Sequence, residues 1–360
     1  MSDLHVDVIA DILSRLPVKP LLRFRCVSKS WCALIDSQHF IRSHLNRSIE
    51  TNTNRSIIYM ENELYSLNLD SVDDDGTVVL DHPLKNEEED TELIGSCDGV
   101  LCLFNSHKDI ALWNPSTRKH HQLPVAPIDF PRKRRVYQNT VYGFGYDSVN
   151  DDYKVMRVIE YFRNGDDSFE SEVKVYSLKL NLWRRVQDFP YHLWDGENAL
   201  LANGSLHWVV CRRPDSDRSR LIAAFDFGVE EYRLVPQPDY SDENFEMSLG
   251  VLGGWLCLVT DYRMVGVDLC VDIWAMKEYG VKESWTKLFS IAQPSTLRWF
   301  DYVRPLAFSK TGGEVLLVQD GERFLWYDLE MKTIKHFEIQ GVDFIMEADL
   351  CFRSLVPLRW

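Results

Sequence analysis

Apolar residues near the start of the chain recur at helical spacing. A first helix carries a one-sided apolar set: Val8, Ile9, Ile12, Leu13 and Leu16. Pro17 ends this helix, Pro20 is predicted at the first position of a second, and Ser28 is predicted to cap a third that carries Trp31. Three short helices hold too little core to be stable alone, so they must pack on the following domain or on a partner.

Beyond residue 55 the pattern changes to short strands. A four-residue unit, apolar, aromatic, polar or small, then apolar, recurs roughly every fifty residues, with one longer gap. Its copies are Leu64–Leu67, Leu112–Pro115, Val175–Leu178, Ala224–Phe227, Ile273–Met276 and Trp326–Leu329. Several have a companion strand upstream that follows a glycine turn, such as Asp98–Leu103. This period is typical of kelch-like propeller blades.

The last apolar stretch, Leu350–Val356, has no strand neighbour of its own in sequence. We expect it to complete the first blade beside Ile57–Met60. The predicted fold class is therefore an all-β propeller (kelch-like, about six blades) preceded by a small all-α three-helix module. The alternative is an open β-sandwich without circular order.

Charge is unevenly distributed along the 360 residues. The chain carries 55 acidic and 40 basic residues, a formal charge of −15. Seven basic and five acidic residues lie within positions 1–50, so the rest of the chain is strongly acidic. This balance argues against nucleic-acid binding, and no apolar run is long enough to predict a membrane span. Eight scattered cysteines without a C-x-x-C pair predict free thiols in a reducing compartment, cytoplasm or nucleus.

The residues that could carry chemistry are better explained as solvated or structural residues. The acidic clusters 73–75 and 87–90 lie in polar segments typical of solvated loops. His120 and His121 lack a third ligand at metal spacing, and no phosphate-binding glycine loop or nucleophile elbow is present. We therefore expect no catalytic residues, no metal and no cofactor. The basic run 132–135 is either a solvated loop or a nuclear import signal.

The residue order of the helical module is specific. Leu16-Pro17, then Leu-Leu-Arg-Phe-Arg-Cys-Val at 21–27 and Ser-Lys-x-Trp at 28–31, stand in fixed register. From Leu4 to Leu45 this order resembles the F-box of plant proteins. The F-box is the helical module through which substrate receptors bind the Skp subunit of Skp–cullin–F-box ubiquitin ligases.

The resemblance also implies which residues contact the Skp subunit. The docking surface and its immediate support would be Leu4, Val8, Ile9, Ile12, Leu16, Pro17, Leu21, Leu22 and Val27. Trp31 would brace the helices. The basic side chains that would face an acidic partner are Arg15, Lys19, Arg23, Arg25 and Lys29. His5 stands where the family usually has a proline that begins the helix.

A second resemblance covers about residues 95 to 340. The segments Gly95–Leu103, Trp113–Arg118, Tyr142–Ser148 and Asp152–Val155 are similar, in content and order, to the F-box-associated domain of plant receptors. In the turn after Trp113, Asn114 and Thr117 are expected to close the backbone, a structural role. The predicted domains are an F-box at 1–46, a linker at 47–56 and an F-box-associated β-propeller at 57–358.

These resemblances imply a non-catalytic adaptor that binds a target protein through the propeller for ubiquitination and degradation. They suggest a plant immune receptor of the nucleotide-binding leucine-rich-repeat class as the target. Aromatic and arginine residues in the segments 160–172, 189–194 and 296–302 are the target-binding candidates, namely Arg163, Tyr191, Trp194, Arg298 and Trp299. A glycan-binding F-box lectin, a ligase-independent scaffold and an enzyme are the alternatives.

Overall fold

The computed structural model describes residues 6–70, 77–86, 90–129, 136–163, 169–194, 197–212, 220–240, 245–262, 270–292, 302–337, 339 and 344–358. The chain divides into two units. The first unit comprises residues 1–123 and 345–360, and the second comprises residues 124–344.

The first unit begins with four helices, one more than predicted. They are α1 (Val6–Ser14), α2 (Val18–Phe24), α3 (Lys29–Ile35) and α4 (Gln38–Glu50). Ser28 caps α3 as expected, because its hydroxyl accepts a hydrogen bond from the Trp31 amide. The second helix starts at Val18, so the prediction that Pro20 begins it is wrong. Pro20 is the third helical residue, where the missing amide hydrogen would have no partner within the helix anyway.

The predicted bounds of the F-box, linker and propeller remain a prediction. Helix α4 extends to Glu50, and the first strand begins at Arg55. Only residues 51–54 therefore separate the last helix from the first strand.

Strands of the first unit form two four-stranded antiparallel blades. The first blade is ordered β25 (Glu347–Phe352), β1 (Arg55–Met60), β2 (Leu64–Asn68) and β3 (Thr77–Val79). The second is ordered β4 (Thr91–Cys97), β5 (Val100–Asn105), β6 (Ile110–Asn114) and β7 (Lys119–Gln122). Leu350 lies opposite Ile57, which confirms that the last strand completes the first blade.

The second unit contains four more blades. The third has β8 (Val136–Asp147), β9 (Asp152–Arg163), β10 (Phe169–Ser177) and β11 (Leu182–Arg185). The fourth has β12 (His192–Leu193), β13 (Leu200–Ala202), β14 (Ser205–Cys211), β15 (Leu221–Asp226) and β16 (Glu231–Val235), where β12 and β13 both pair with β14 as two pieces of one first strand.

The fifth blade has β17 (Glu246–Leu252), β18 (Trp255–Asp261), β19 (Cys270–Met276) and β20 (Trp285–Ala292). The sixth has β21 (Val303–Phe308), β22 (Glu314–Gln319), β23 (Arg323–Asp328) and β24 (Thr333–Phe337). The predicted six-bladed β-propeller is thus confirmed.

Antiparallel order gives every blade two distinct ends. At one end of a blade lie the turn from the first strand to the second and the turn from the third strand to the fourth. We call this end the turn end. The opposite edge, with the second-to-third turns and the connections between blades, is the loop end. In the first blade, β1 begins and β25 finishes at the turn end, so the helices join the propeller there.

Candidate docking surfaces

The helical module keeps an apolar core and an apolar surface at the same time. Leu13, Ile35 and Leu45 are buried inside it. Val8, Ile12 and Val27 nevertheless remain 45%, 50% and 60% exposed. Aliphatic side chains of this size gain about 1.5–3 kcal/mol each when fully buried, so this surface is suited to a protein partner.

The remaining predicted Skp-contact residues divide by burial. Pro17 is exposed, and Ile9, Leu16 and Leu22 are half-buried, so all four can contribute to the surface. Leu21 is fully buried, so we assign it to the support of the surface and not to the surface itself. Leu4 and His5 lie outside the described residues.

Two of the five basic side chains form ion pairs inside the module. Arg15 contacts Asp11 at 2.7 Å, and Arg25 contacts Asp36 at 2.7 Å. Lys19, Arg23 and Lys29 are exposed. These three are the better candidates for long-range attraction to an acidic partner.

His44, on the helix that the sequence pattern missed, supports the docking surface from beneath. Its ring is fully buried, and Nε2 lies 2.8 Å from the Leu16 carbonyl oxygen. Burial lowers the pKa of His44, which favours the neutral ring. The contact fixes the backbone of the turn that carries Leu16 and Pro17. Trp31 packs edge-on against Phe24 at 5.7 Å, as expected of a bracing residue.

Tyr191 and Trp194 lie at the loop end of the fourth blade. Tyr191 is half-buried and packs edge-on against buried Phe189, with ring centroids 6.0 Å apart. Trp194 is 39% exposed, and the Arg220 guanidinium lies 4.4 Å from its ring centroid. Trp194 is therefore held in place while a face of the side chain stays accessible.

Sequence reasoning missed further aromatic residues at the loop ends of the fourth and fifth blades. Phe245 packs against Tyr240 at 4.5 Å and Tyr262 at 5.5 Å. Arg220 donates to the Phe245 carbonyl oxygen at 3.3 Å, which links these rings to Trp194. We call Trp194, Arg220, Tyr240, Phe245 and Tyr262 the aromatic surface. Of these, Trp194 is exposed and the other residues are half-buried. The clustering of aromatic residues near the ends of neighbouring strands was the signal that could have identified it.

The structure describes only one of the other three target-binding candidates. Arg163 is the last residue of β9, and Arg298 and Trp299 lie outside the described residues. The segment 160–172 is not simply a loop, because residues 160–163 and 169–172 belong to the paired strands β9 and β10.

Buried charged side chains in the described part of the chain include the ion pairs Lys154–Asp147 and Arg157–Glu172. No group of three or more His, Cys, Asp or Glu side chains there is placed to hold a metal ion. All eight cysteines are free thiols. His120 and His121 sit on β7, and the residues 73–75 and 87–89 of the acidic clusters, like the basic run 132–135, lie outside the described residues. No described helix combines the length and apolarity needed to cross a membrane.

Comparison with known families and proteins agrees with both resemblances. Residues 1–43 match the F-box domain, and residues 55–355 match the F-box associated beta propeller domain. F-box protein CPR1 of Arabidopsis thaliana is 39% identical over 99% of this chain and 89% of its own length. F-box/kelch-repeat protein At3g23880 of the same plant is 31% identical over 88% of this chain and 85% of its own length.

Likeness to solved structures is much weaker. An oligogalacturonate lyase in complex with manganese aligns with a TM-score of 0.44 and 11% identity, covering 76% of this chain and 70% of that chain. Function is therefore inferred from the two family domains. An F-box joined to such a propeller is the arrangement of a substrate-recognition subunit of Skp–cullin–F-box ubiquitin ligases. The chain belongs to the F-box proteins that carry an F-box-associated β-propeller domain.

Proposed function

We propose that this protein recruits a target protein to a Skp–cullin–F-box ubiquitin ligase and has no chemistry of its own. The observation that carries the proposal is the apolar surface on the F-box. Val8, Ile12 and Val27 stay exposed although the same module buries a core of leucine, isoleucine and phenylalanine. A module that served only as a cap on the propeller would have no use for this surface.

Such an adaptor accelerates ubiquitin transfer by raising the effective concentration of the target near the conjugating enzyme. Holding a target beside the ubiquitin-conjugating enzyme replaces a bimolecular encounter by one within the complex. No acid, base or nucleophile of the adaptor is needed for this. The work divides between the F-box, which binds the ligase, and the propeller, which binds the target.

We assign target binding to the aromatic surface at the loop ends of the fourth and fifth blades. Two features support this assignment, namely the residue types of the surface and the contacts that hold them in place. Aromatic and arginine side chains dominate binding energy at protein interfaces, and Arg220 is held between Trp194 and the Glu246 carboxylate, 2.5 Å away. The surface is thus arranged before the target arrives, which lowers the entropic cost of binding.

The test is capture of the Skp subunit by purified full-length protein. Ile12→Asp, which places a charge where an apolar contact is expected, should weaken capture by at least about tenfold. Ile12 is half exposed, so the change leaves the core of the module in place.

Two controls accompany this measurement. Ile49→Asp changes an equally exposed isoleucine (47%) on α4, outside the predicted surface, and should leave capture unchanged. Trp194→Ala should also retain capture. Equal loss with Ile12→Asp and Ile49→Asp would show that the effect is not specific to this surface, and no capture by the wild type would favour a ligase-independent scaffold.

We further propose that the target is a plant immune receptor of the nucleotide-binding leucine-rich-repeat class, and that the protein acts in the cytoplasm and nucleus. The first point is supported by the family resemblance, and the second by the free thiols. In plant cells, loss of the protein should lengthen the half-life of such a receptor, and the Trp194→Ala protein should fail to restore turnover. Receptor half-lives that do not change would remove this target class.

A further inference from the structure

The F-box is attached to the first two blades by the chain itself and also by hydrogen bonds. Residues 51–54 join α4 to β1, and the Asn54 carbonyl oxygen accepts a hydrogen bond from the Arg353 amide at 2.7 Å. A single attachment of this kind fixes a point and leaves rotation about it free. A second contact, away from this point, is needed to fix an orientation.

Arg42 provides that second contact. Its Nη1 donates to Asp98 Oδ2 at 2.7 Å, and both side chains are largely shielded from water. Asp98 belongs to the turn between β4 and β5, at the turn end of the second blade. Arg42 lies eight residues before the end of α4, which at 1.5 Å per residue puts the two attachments about 12 Å apart along the helix.

The chain's C-terminal segment holds Asp98 from the other side. Ser354 Oγ donates to the Asp98 carbonyl oxygen at 2.6 Å, and Asn114 Nδ2 donates to the carbonyl oxygens of Ser354 and Val356 at 3.2 and 3.0 Å. Ser354 is completely buried. A Cβ on Gly99, whose φ is +80°, would lie 2.5 Å from Ser354 Oγ, so only glycine fits beside this segment.

We propose that Arg42, Asp98 and Ser354 form a joint that fixes the F-box on the first two blades and so positions a bound target for ubiquitin transfer. The inference rests on the proposed function. The joint gives Asp98, Gly99 and Asn114 a second role in addition to closing their own turns. In this joint they act as positioning residues, through their contacts with Arg42 and Ser354.

The experiment uses the full chain with fluorescent labels on Lys19 in α2 and Lys119 in β7, introduced as non-natural amino acids. Single-molecule energy transfer then reports the distance between the F-box and the second blade. The wild type should give one narrow distribution. Asp98→Asn, which keeps the size and tolerates the positive φ of Asp98, should widen it, as should Arg42→Gln and Ser354→Ala.

The functional readout is autoubiquitination by the reconstituted ligase, with modified lysines mapped by mass spectrometry. At equal occupancy of the Skp subunit, we expect the joint variants to be at least about threefold slower and to spread ubiquitin over more lysines. Arg47→Gln is the matched control, because Arg47 lies on the same helix but pairs with Asp11 inside the F-box. It should change neither readout.

If the distance distributions of Asp98→Asn and Arg42→Gln are as narrow as that of the wild type, the proposed joint is wrong. A wider distribution with an unchanged lysine pattern would overturn its positioning role. Failure of the wild type to bind the Skp subunit would instead overturn the proposed function. The distance measurement is made on the free chain, so these failures are distinguishable.

Discussion

At the scale of single residues, Asn114 forms one set of hydrogen bonds within its own turn and another with a segment distant in sequence. Asn114 accepts hydrogen bonds from the amides of Ser116 and Thr117 at 2.9 and 3.3 Å, the turn closure that the sequence predicts for it. Thr117 itself supplies a hydroxyl that accepts from the Lys119 amide. The second role of Asn114, binding the segment at Ser354, involves residues 240 positions away, and no local pattern indicates it.

The glycines of the segment Tyr142–Ser148 have a steric role that can be tested. A Cβ on Gly143 would lie 2.4 Å from Leu206 Cδ1 and 2.8 Å from Ala199 Cβ. Gly143→Ala forces these side chains apart in a closely packed region between the third and fourth blades. We expect it to lower the free energy of unfolding by about 1–3 kcal/mol, measured by urea denaturation.

Gly313→Ala is the matched control for this substitution. Its Cβ would meet only Thr311 Oγ1 at 3.9 Å, an ordinary contact, and no positive φ opposes it. Its urea midpoint should stay close to that of the wild type. Equal midpoints for the two variants would show that the site beside Leu206 relaxes without cost.

At the scale of elements, helix α4 was missed because polar residues occupy part of its buried face. Its buried positions are Phe40, Ile41, His44, Leu45 and Ser48, which follow helical spacing. His44 and Ser48 interrupt the apolar pattern, since each is stabilised by a hydrogen bond rather than by its own hydrophobicity. A pattern of apolar residues alone therefore could not reveal this helix.

The strands, unlike helix α4, could be predicted from the sequence. A repeat roughly fifty residues long predicts blades even where single strands are ambiguous, because each blade must cover its neighbour's apolar face. The same reasoning left Leu350–Val356 without a partner and so predicted its pairing with the first strand. The interruption between β12 and β13 was not predictable. There the chain leaves the blade so that the Ala199 amide can donate to the Tyr142 carbonyl oxygen at 2.7 Å.

At the scale of the whole molecule, each unit has its candidate docking residues at one kind of blade end. In the first unit, the F-box contacts the turn ends through Arg42 and Asp98. In the second unit, Tyr191, Trp194 and the rest of the aromatic surface lie at loop ends. Sequence alone gave these residues no common location, because the assignment to an end requires the strand order within each blade.

Histidines buried in both units predict how stability depends on pH. Burial lowers the pKa of His44 and His82 in the first unit, and lowers that of His207 in the second to about 4. Neutral His207 donates from Nδ1 to the Leu200 carbonyl oxygen and accepts at Nε2 from the Tyr279 hydroxyl, 2.6 Å away. A second proton would disturb this arrangement and place a charge in a buried site.

The sign of the effect follows from proton counting. Between pH 6.5 and about 4 the unfolded chain binds a proton at His207 that the folded chain does not, so the free energy of unfolding falls as the pH is lowered. The slope contributed by one such histidine approaches about 1.4 kcal/mol per pH unit. In urea titrations from pH 7 to pH 4.5, His207→Gln should flatten this dependence. Tyr279→Phe removes the hydroxyl but keeps the buried ring of His207, so it should lower stability at pH 7 and retain the slope. An unchanged slope in His207→Gln would mean that His207 already binds its proton in the folded protein.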